Sequence, residues 1–344
     1  MCAGFIKNLF LLLLMKEALF YDKLKNKQVQ CKLCPHNCFI GDNKRGYCGV
    51  RENQRGKLYS LVYGKPIAIQ IDPIEKKPMY HFMPGEKALS FGTVGCTMSC
   101  EWCQNYNISK AKPEDSEVAE ILPDEIINMC IEKGCKIIAF TYSEPVVFYE
   151  YMIDIAKLAR KNKIKNVLVS NGYINEKPLK ELCKYIDGAN IDLKSFNEKI
   201  YKRFCNGNLK DILKSLKLLK KNKVWLEITN LVIPEINDNK EEVEKMCKWI
   251  STNLGKDVPL HFSKFFPMYK MSDVEETPIA TLEAMRKIAE DYLEFVYLGN
   301  VNEESNTKCP SCGEVVIKRS GFFVNNELKE GKCKCEEKIP GVWD

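Results

Sequence analysis

Cys96, Cys100 and Cys103 share one short stretch of the chain at C-x3-C-x2-C spacing. Thiolates this close in sequence can converge on one inorganic centre, and three of them match three irons of a cubane [4Fe–4S] cluster. No fourth cysteine is near in sequence. The fourth iron would therefore keep an open position for a substrate or cofactor, by the logic of an open catalytic zinc site. Trp102 stands immediately before the third cysteine, and the stretch follows an apolar run at 88–94. A loop after a strand is where barrel-like α/β folds place their active sites.

Two further groups flank this triad. Cys31, Cys34, Cys38 and Cys48 form one, and Cys309, Cys312, Cys333 and Cys335 the other. Two cysteine pairs joined by a loop read as a structural zinc site, which stabilises a segment too small to bury a core. The N-terminal group suits zinc or an auxiliary iron–sulfur cluster, and His36 could replace one of its thiolates. Free thiols are the plain alternative for both groups.

The chain carries 17 cysteines in 344 residues. An odd count in a long chain, clustered unevenly, argues against a disulfide scaffold and for bound metal in a reducing compartment, hence the cytoplasm. Cys130, Cys135, Cys183 and Cys247 fall in or beside predicted helices and read as inert buried thiols. The balance of 52 Lys+Arg against 46 Asp+Glu leaves +6. That is too mild to argue for a nucleic-acid partner. An apolar run at 9–14 is shorter than the ~20 residues that span a bilayer and lacks a small-residue cleavage site. No membrane partner is expected. Residues 1–14 read as an extension ahead of a start at Met15.

Positioning these cysteines falls to a strand–helix rhythm. Apolar or β-branched runs recur at 88–94, 136–142, 165–170, 188–193, 223–233 and 258–266, with a short seventh at 294–298. Amphipathic segments lie between them, such as Leu209, Ile212, Leu213, Leu216 and Leu219. Six such units predict a parallel sheet with helices outside, short of the eight in a closed barrel. An open or partial barrel and a doubly wound sheet both fit the pattern. Alternation over 57–72, broken by Gly64-Lys65-Pro66, predicts a β-hairpin. The resulting division is an extension at 1–14, a cysteine-rich segment and hairpin at 15–85, a central domain at 86–300 and a cysteine knuckle at 301–344.

The triad in this setting resembles the radical S-adenosylmethionine (SAM) superfamily. Within it the chain is similar to the pyruvate formate-lyase activating enzyme-like group, and most to the radical SAM component of the AmmeMemoRadiSam system. The matching residues span 15–344 and include Cys31-Lys32-Leu33-Cys34-Pro35-His36-Asn37-Cys38, Asp72-Pro73-Ile74-Glu75-Lys76-Lys77-Pro78, Cys103-Gln104-Asn105, Thr141-Tyr142-Ser143-Glu144-Pro145, Asn190-Ile191-Asp192-Leu193-Lys194, His261-Phe262-Ser263 and Asn306-Thr307-Lys308-Cys309-Pro310-Ser311-Cys312.

The resemblance implies a partial (β/α)6 TIM-like barrel with an N-terminal cysteine-rich knuckle and a C-terminal zinc-ribbon-like module. It implies a [4Fe–4S] cluster on Cys96, Cys100 and Cys103 whose open iron binds SAM. Reduction then splits SAM into methionine and a 5′-deoxyadenosyl radical that abstracts hydrogen. Trp102 joins the cofactor site, Ser143 and Glu144 hold the SAM amino group, and Asn190, Asp192 and Lys194 line the site, with Lys194 suited to the carboxylate. The family more often has Asn where Ser143 stands, and a second C-x2-C where this chain has Cys333-x-Cys335. Asn171 ends a strand where it could face the ribose. Glu227 and Thr229, and His261 and Ser263, share strand faces where they could meet the substrate. An electron donor of flavodoxin or ferredoxin type and a Memo-like protein are the implied partners. The rival class is a zinc-binding interaction or RNA-contacting protein without catalysis; it accounts for the terminal cysteine groups but not for the triad.

Overall fold

The computed structural model describes residues 15–115, 118–302, 304–321 and 323–344. The expected extension at 1–14 lies outside the described residues. The centre of the molecule is one eight-stranded sheet: β1 (Ala68–Pro73), β2 (Lys87–Gly92), β3 (Ile137–Phe140), β4 (Lys165–Ser170), β5 (Gly188–Asp192), β6 (Trp225–Val232), β7 (Leu260–Lys264) and β8 (Val296–Gly299). The strands lie side by side in chain order. β1 is antiparallel to β2, and every later pair is parallel.

Six helices connect the parallel strands: α1 (Pro123–Glu132), α2 (Tyr149–Lys161), α3 (Glu176–Leu182), α4 (Leu209–Lys221), α5 (Lys240–Asn253) and α6 (Ile279–Glu290). A doubly wound sheet needs a point where strand order reverses, and this sheet has none. Parallel crossovers share one hand, so unbroken sequential order puts all six helices on one face and leaves the other facing inward. The architecture is an open, partial barrel. Leu209, Ile212, Leu216 and Leu219 of α4 are buried at the helical spacing read from the sequence.

The predicted 57–72 hairpin does not form. Lys57–Ser60 pairs with Arg51–Gln54 and Lys16–Glu17 in a small separate sheet. β1 instead extends the barrel sheet, where Ile69 and Ile71 sit opposite Phe91 and Leu89 of β2. A second small sheet of Tyr21–Lys23, Val29–Cys31 and Phe39–Ile40 carries the N-terminal cysteines. A third, of Thr307–Lys308, Val315–Ser320 and Phe323–Asn326, carries the C-terminal ones.

The barrel is closed below and open above. The segment between β1 and β2 enters from the N-terminal ends of the strands, where Phe82 and Met79 pack against Gly188, the first residue of β5. The C-terminal module seals this end: His81 Nδ1 meets the Pro340 carbonyl at 2.7 Å, and Arg319 donates to the Tyr80 carbonyl at 2.5 Å. Among the described residues no helix is long and apolar enough to cross a membrane.

Candidate active site

The C-terminal ends of the strands surround a cavity of about 340 Å³. Cys96, Cys100 and Cys103 line one side of it. Their loop leaves β2 at Gly92, where an added Cβ would lie 2.4 Å from the Thr141 carbonyl oxygen, so only glycine lets β2 and β3 run this close. Gly95 takes φ +97°, a conformation glycine supplies without strain.

The loop is held on both sides. Ser99 N donates to Cys205 O at 2.9 Å and Glu101 N to Phe204 O at 3.1 Å, both on the wide turn Tyr201–Cys205. Lys110 Nζ donates to the Met98 carbonyl at 2.8 Å, and Met98 N to Cys96 Sγ at 3.4 Å. Cys103 Sγ lies 3.3 Å from Ser109 Oγ. Trp102 is buried and faces Phe204 at 6.0 Å.

The thiols differ electrostatically. The neighbouring Cys205 thiol and the positive charge of Lys194 and Lys110 bring Cys100 down from the ordinary thiol value, against the pull of burial. Burial pushes Cys96 up, and the Glu144 carboxylate adds to that. A lowered thiol lies closer to the thiolate form that ligates metal. Cys205 was not singled out from the sequence; it is isolated there, and only the fold brings it beside Cys100.

Ser143, Glu144, Asn171, Asp192 and Lys194 line the same cavity. Glu144 accepts from Ser170 Oγ at 2.6 Å, Asn171 N at 2.8 Å and Val146 N at 3.1 Å. Burial nonetheless lifts its pKa to about 7. Asn171 Nδ2 reaches Thr97 Oγ1 at 3.1 Å and lies 3.8 Å from Cys96 Sγ, tying the end of β4 to the cysteine loop. Lys194 Nζ pairs with Asp192 at 2.8 Å. Burial alone would lower Lys194, but Asp192 and the Cys100 and Cys205 thiols raise it well above its usual value. Tyr142, in the left-handed region at φ +68°, is fixed by Asn105 donating to its carbonyl at 2.7 Å and by its own hydroxyl donating to Asp72 at 2.8 Å. Asn105, Ser109 and Tyr142 also line the cavity, although the sequence reading assigned them no role.

Three residues expected at the site lie deeper. Asn190 is two residues below Asp192 on β5 and is satisfied by Pro78 O at 2.7 Å and Thr229 Oγ1 at 2.9 Å. Glu227 and His261 are buried and absent from the cavity wall. Glu227 accepts from Tyr80 N, His81 N and Trp225 Nε1, and meets His261 Nε2 at 2.7 Å. They belong to the lower seal of the barrel. Thr229 and Ser263, two residues further along the same faces, do line the cavity. Strand alternation identifies the face of a side chain, not its depth.

These residues fit a [4Fe–4S] cluster with SAM. Three thiols face one cavity without a fourth on its wall. Among the described residues the Ser143 hydroxyl oxygen is buried without a hydrogen-bond partner, which an incoming polar ligand would correct. An ammonium, a carboxylate and ribose hydroxyls have acidic, basic and amide groups to meet.

The C-terminal cysteines converge. Sγ atoms of Cys309, Cys312, Cys333 and Cys335 all lie within 4.8 Å of one another, with Cys309–Cys335 and Cys312–Cys333 at 3.6 Å each. The shortened C-x-C spacing does not prevent a four-thiol site.

Comparison with known proteins agrees. The profile of the radical SAM superfamily matches residues 91–250. The uncharacterized protein MJ0808 of Methanocaldococcus jannaschii is 43% identical over 332 residues, covering 94% of this chain and 99% of its own length. The pyruvate formate-lyase-activating enzyme of Clostridium pasteurianum is 23% identical over 230 residues, 61% of this chain and 93% of that protein. A radical SAM methyltransferase from Sphaerobacter thermophilus shares the fold with a TM-score of 0.50 at 11% identity, over 63% of this chain and 67% of that one. With its cysteine loop, sheet order and relatives in agreement, the chain belongs to the radical SAM superfamily.

Proposed function

We propose that this protein cleaves SAM reductively and uses the product to abstract a hydrogen atom from its substrate. The observation that carries this reading is the cavity wall shared by the three cysteines with Glu144, Asn171, Asp192 and Lys194. When bound, the reduced cluster and SAM supply a carbon-centred radical; the protein binds, orients and shields.

Cys96, Cys100 and Cys103 hold three irons. Glu144, close to half-ionised near neutral pH, becomes fully ionised against a cationic amino group, because an opposite charge favours the charged form. Lys194 holds the methionyl carboxylate, with Asp192 fixing its position. Ser143 supplies its unpartnered hydroxyl, and Asn171 faces the ribose. Thr229, Leu231 and Ser263 line the cavity from β6 and β7 and are the side from which substrate is contacted. One electron per turnover comes from a flavodoxin- or ferredoxin-type donor, a role supported by the likeness to an activating enzyme. The C-terminal thiols hold zinc: Zn–S bonds of about 2.3 Å place tetrahedral sulfurs about 3.8 Å apart, close to the spacing of the two pairs.

The test is anaerobic purification followed by reduction with dithionite in the presence of SAM. Chromatography should show 5′-deoxyadenosine and methionine in equal amounts, and Cys100→Ala should abolish both. A colourless, iron-free protein that leaves SAM intact overturns the reading in favour of a zinc-binding interaction protein.

A further inference from the structure

We propose that Cys31, Cys34, Cys38 and Cys48 hold a second [4Fe–4S] cluster, seated against the loop of the first. The four thiols line one small enclosed space together with Arg51 and Thr97. Their spread separates this site from the C-terminal one. Among the described residues, the C-terminal four are the group whose ligand atoms all fall within 4.8 Å. The N-terminal four share a cavity yet do not contract to that spacing. A single zinc ion needs sulfurs about 3.8 Å apart. A cubane puts irons and sulfides between its thiolates and needs the wider frame.

The walls carry donors suited to an anionic cluster. Arg51 is 2% exposed; its two terminal nitrogens are bound to Glu150 and the Leu19 carbonyl, while its Nε–H is buried without a partner among the described residues. A buried N–H left over on the wall of a cysteine cavity calls for an acceptor there, and a cluster sulfide is one. The Tyr47 amide donates to Cys38 Sγ at 3.4 Å, the kind of N–H···S contact that stabilises ligated thiolates.

The frame is hydrogen-bonded to the barrel and joined to the catalytic loop. Asn175, just past β4, donates to the carbonyls of Lys32 and Cys34 and to Asn37 Oδ1, and its own amide bonds to the Leu33 carbonyl. His36 Nε2 meets the Thr97 carbonyl at 2.8 Å. Thr97 lines this cavity while its neighbour Cys96 lines the catalytic one. A Cβ on Gly95 would lie 3.0 Å from the Cys48 carbonyl, so the two loops touch.

The site can be read with the central triad removed, so the outcome is independent of the proposed catalytic function. The full chain carrying Cys96→Ala, Cys100→Ala and Cys103→Ala is produced with iron and zinc both supplied, purified anaerobically and analysed for iron, sulfide and zinc. About four irons with one zinc per chain, and a cubane signature by Mössbauer spectroscopy, are expected. Two zinc ions without iron, or one zinc with the N-terminal thiols bare, overturn the proposal. Should that variant aggregate, Cys34→Ala with Cys38→Ala in the otherwise natural chain decides the matter. Loss of about half the iron with zinc retained supports a second cluster; loss of a zinc with iron unchanged overturns it.

Discussion

Glu144 is a buried carboxyl whose burial raises its pKa, and its proposed contact is with a cationic ligand. Its folded pKa of about 7 lies above the ordinary carboxylate value, so between pH 4.5 and 7 the folded chain keeps a proton that the unfolded chain has lost. Stability attributable to this group therefore falls as pH rises through that window, by about 3 kcal/mol in all. Replacing Glu144 with Gln removes the slope: the stability difference between variant and natural protein should shift by about 3 kcal/mol in the variant's favour from pH 4.5 to 7.5, read from urea midpoints. The same change removes a charged hydrogen-bond acceptor, and SAM affinity should weaken roughly ten- to a hundredfold by equilibrium dialysis. Unchanged affinity would remove Glu144 from the ligand. At this scale the sequence was informative where residues cluster. The three cysteines are legible from their spacing, whereas Ser143-Glu144 is picked out by the family resemblance. Cys205 is not, because its role depends on a turn that lands it beside Cys100.

Strands and loops set the positions those side chains occupy. The six strand–helix units are legible because each buried strand is an apolar run and each helix carries an apolar stripe. The choice between a partial barrel and a doubly wound sheet is not in the pattern; it depends on strand order, a long-range property. The misplaced hairpin has the same origin, since alternation shows that 68–73 is a strand but not which neighbour it pairs with. β2 and β3 approach closely at Gly92. In Gly92→Ala the new methyl meets the backbone at Thr141, which cannot swing aside like a side chain. Forcing β2 and β3 apart should cost about 1–3 kcal/mol in stability. It should also reduce SAM cleavage disproportionately, because Ser143 and Glu144 lie two and three residues past Thr141; a thermal melt and a turnover assay on the same sample compare the two. The C-terminal sheet carries the proposed zinc site. Chelation, or Cys309→Ser, should release residues 304–321 and 323–344 from their packing and raise amide exchange there, with β3 to β5 little affected.

The whole molecule is a barrel with an open chemical end and a sealed structural one, and the two ends carry opposite pH dependences. His81 is fully buried in the seal, between the Pro340 carbonyl and the Tyr297 hydroxyl, with Glu227, His261 and Arg319 nearby. Burial holds its pKa down to about 4, against the favourable charge of Glu227. Between pH 6.5 and 4 the unfolded chain takes up a proton that the folded chain refuses. The stability His81 contributes is thus present above pH 6.5 and lost as pH falls toward 4, by about 3 kcal/mol. Glu144 acts in nearly the same window with the opposite sign, so in the natural protein the two slopes offset each other between about pH 4.5 and 6.5. Each substitution should expose the other group. His81→Gln should leave a protein whose stability, relative to the Glu144→Gln, His81→Gln double variant, falls with rising pH; Glu144→Gln alone should leave one that rises against the same reference. The two groups sit at opposite ends of the barrel without a shared partner, so the effects should add to within about 0.5 kcal/mol. Strong non-additivity in urea melts across this pH range would instead mean that the seal and the cavity are coupled through the strands between them.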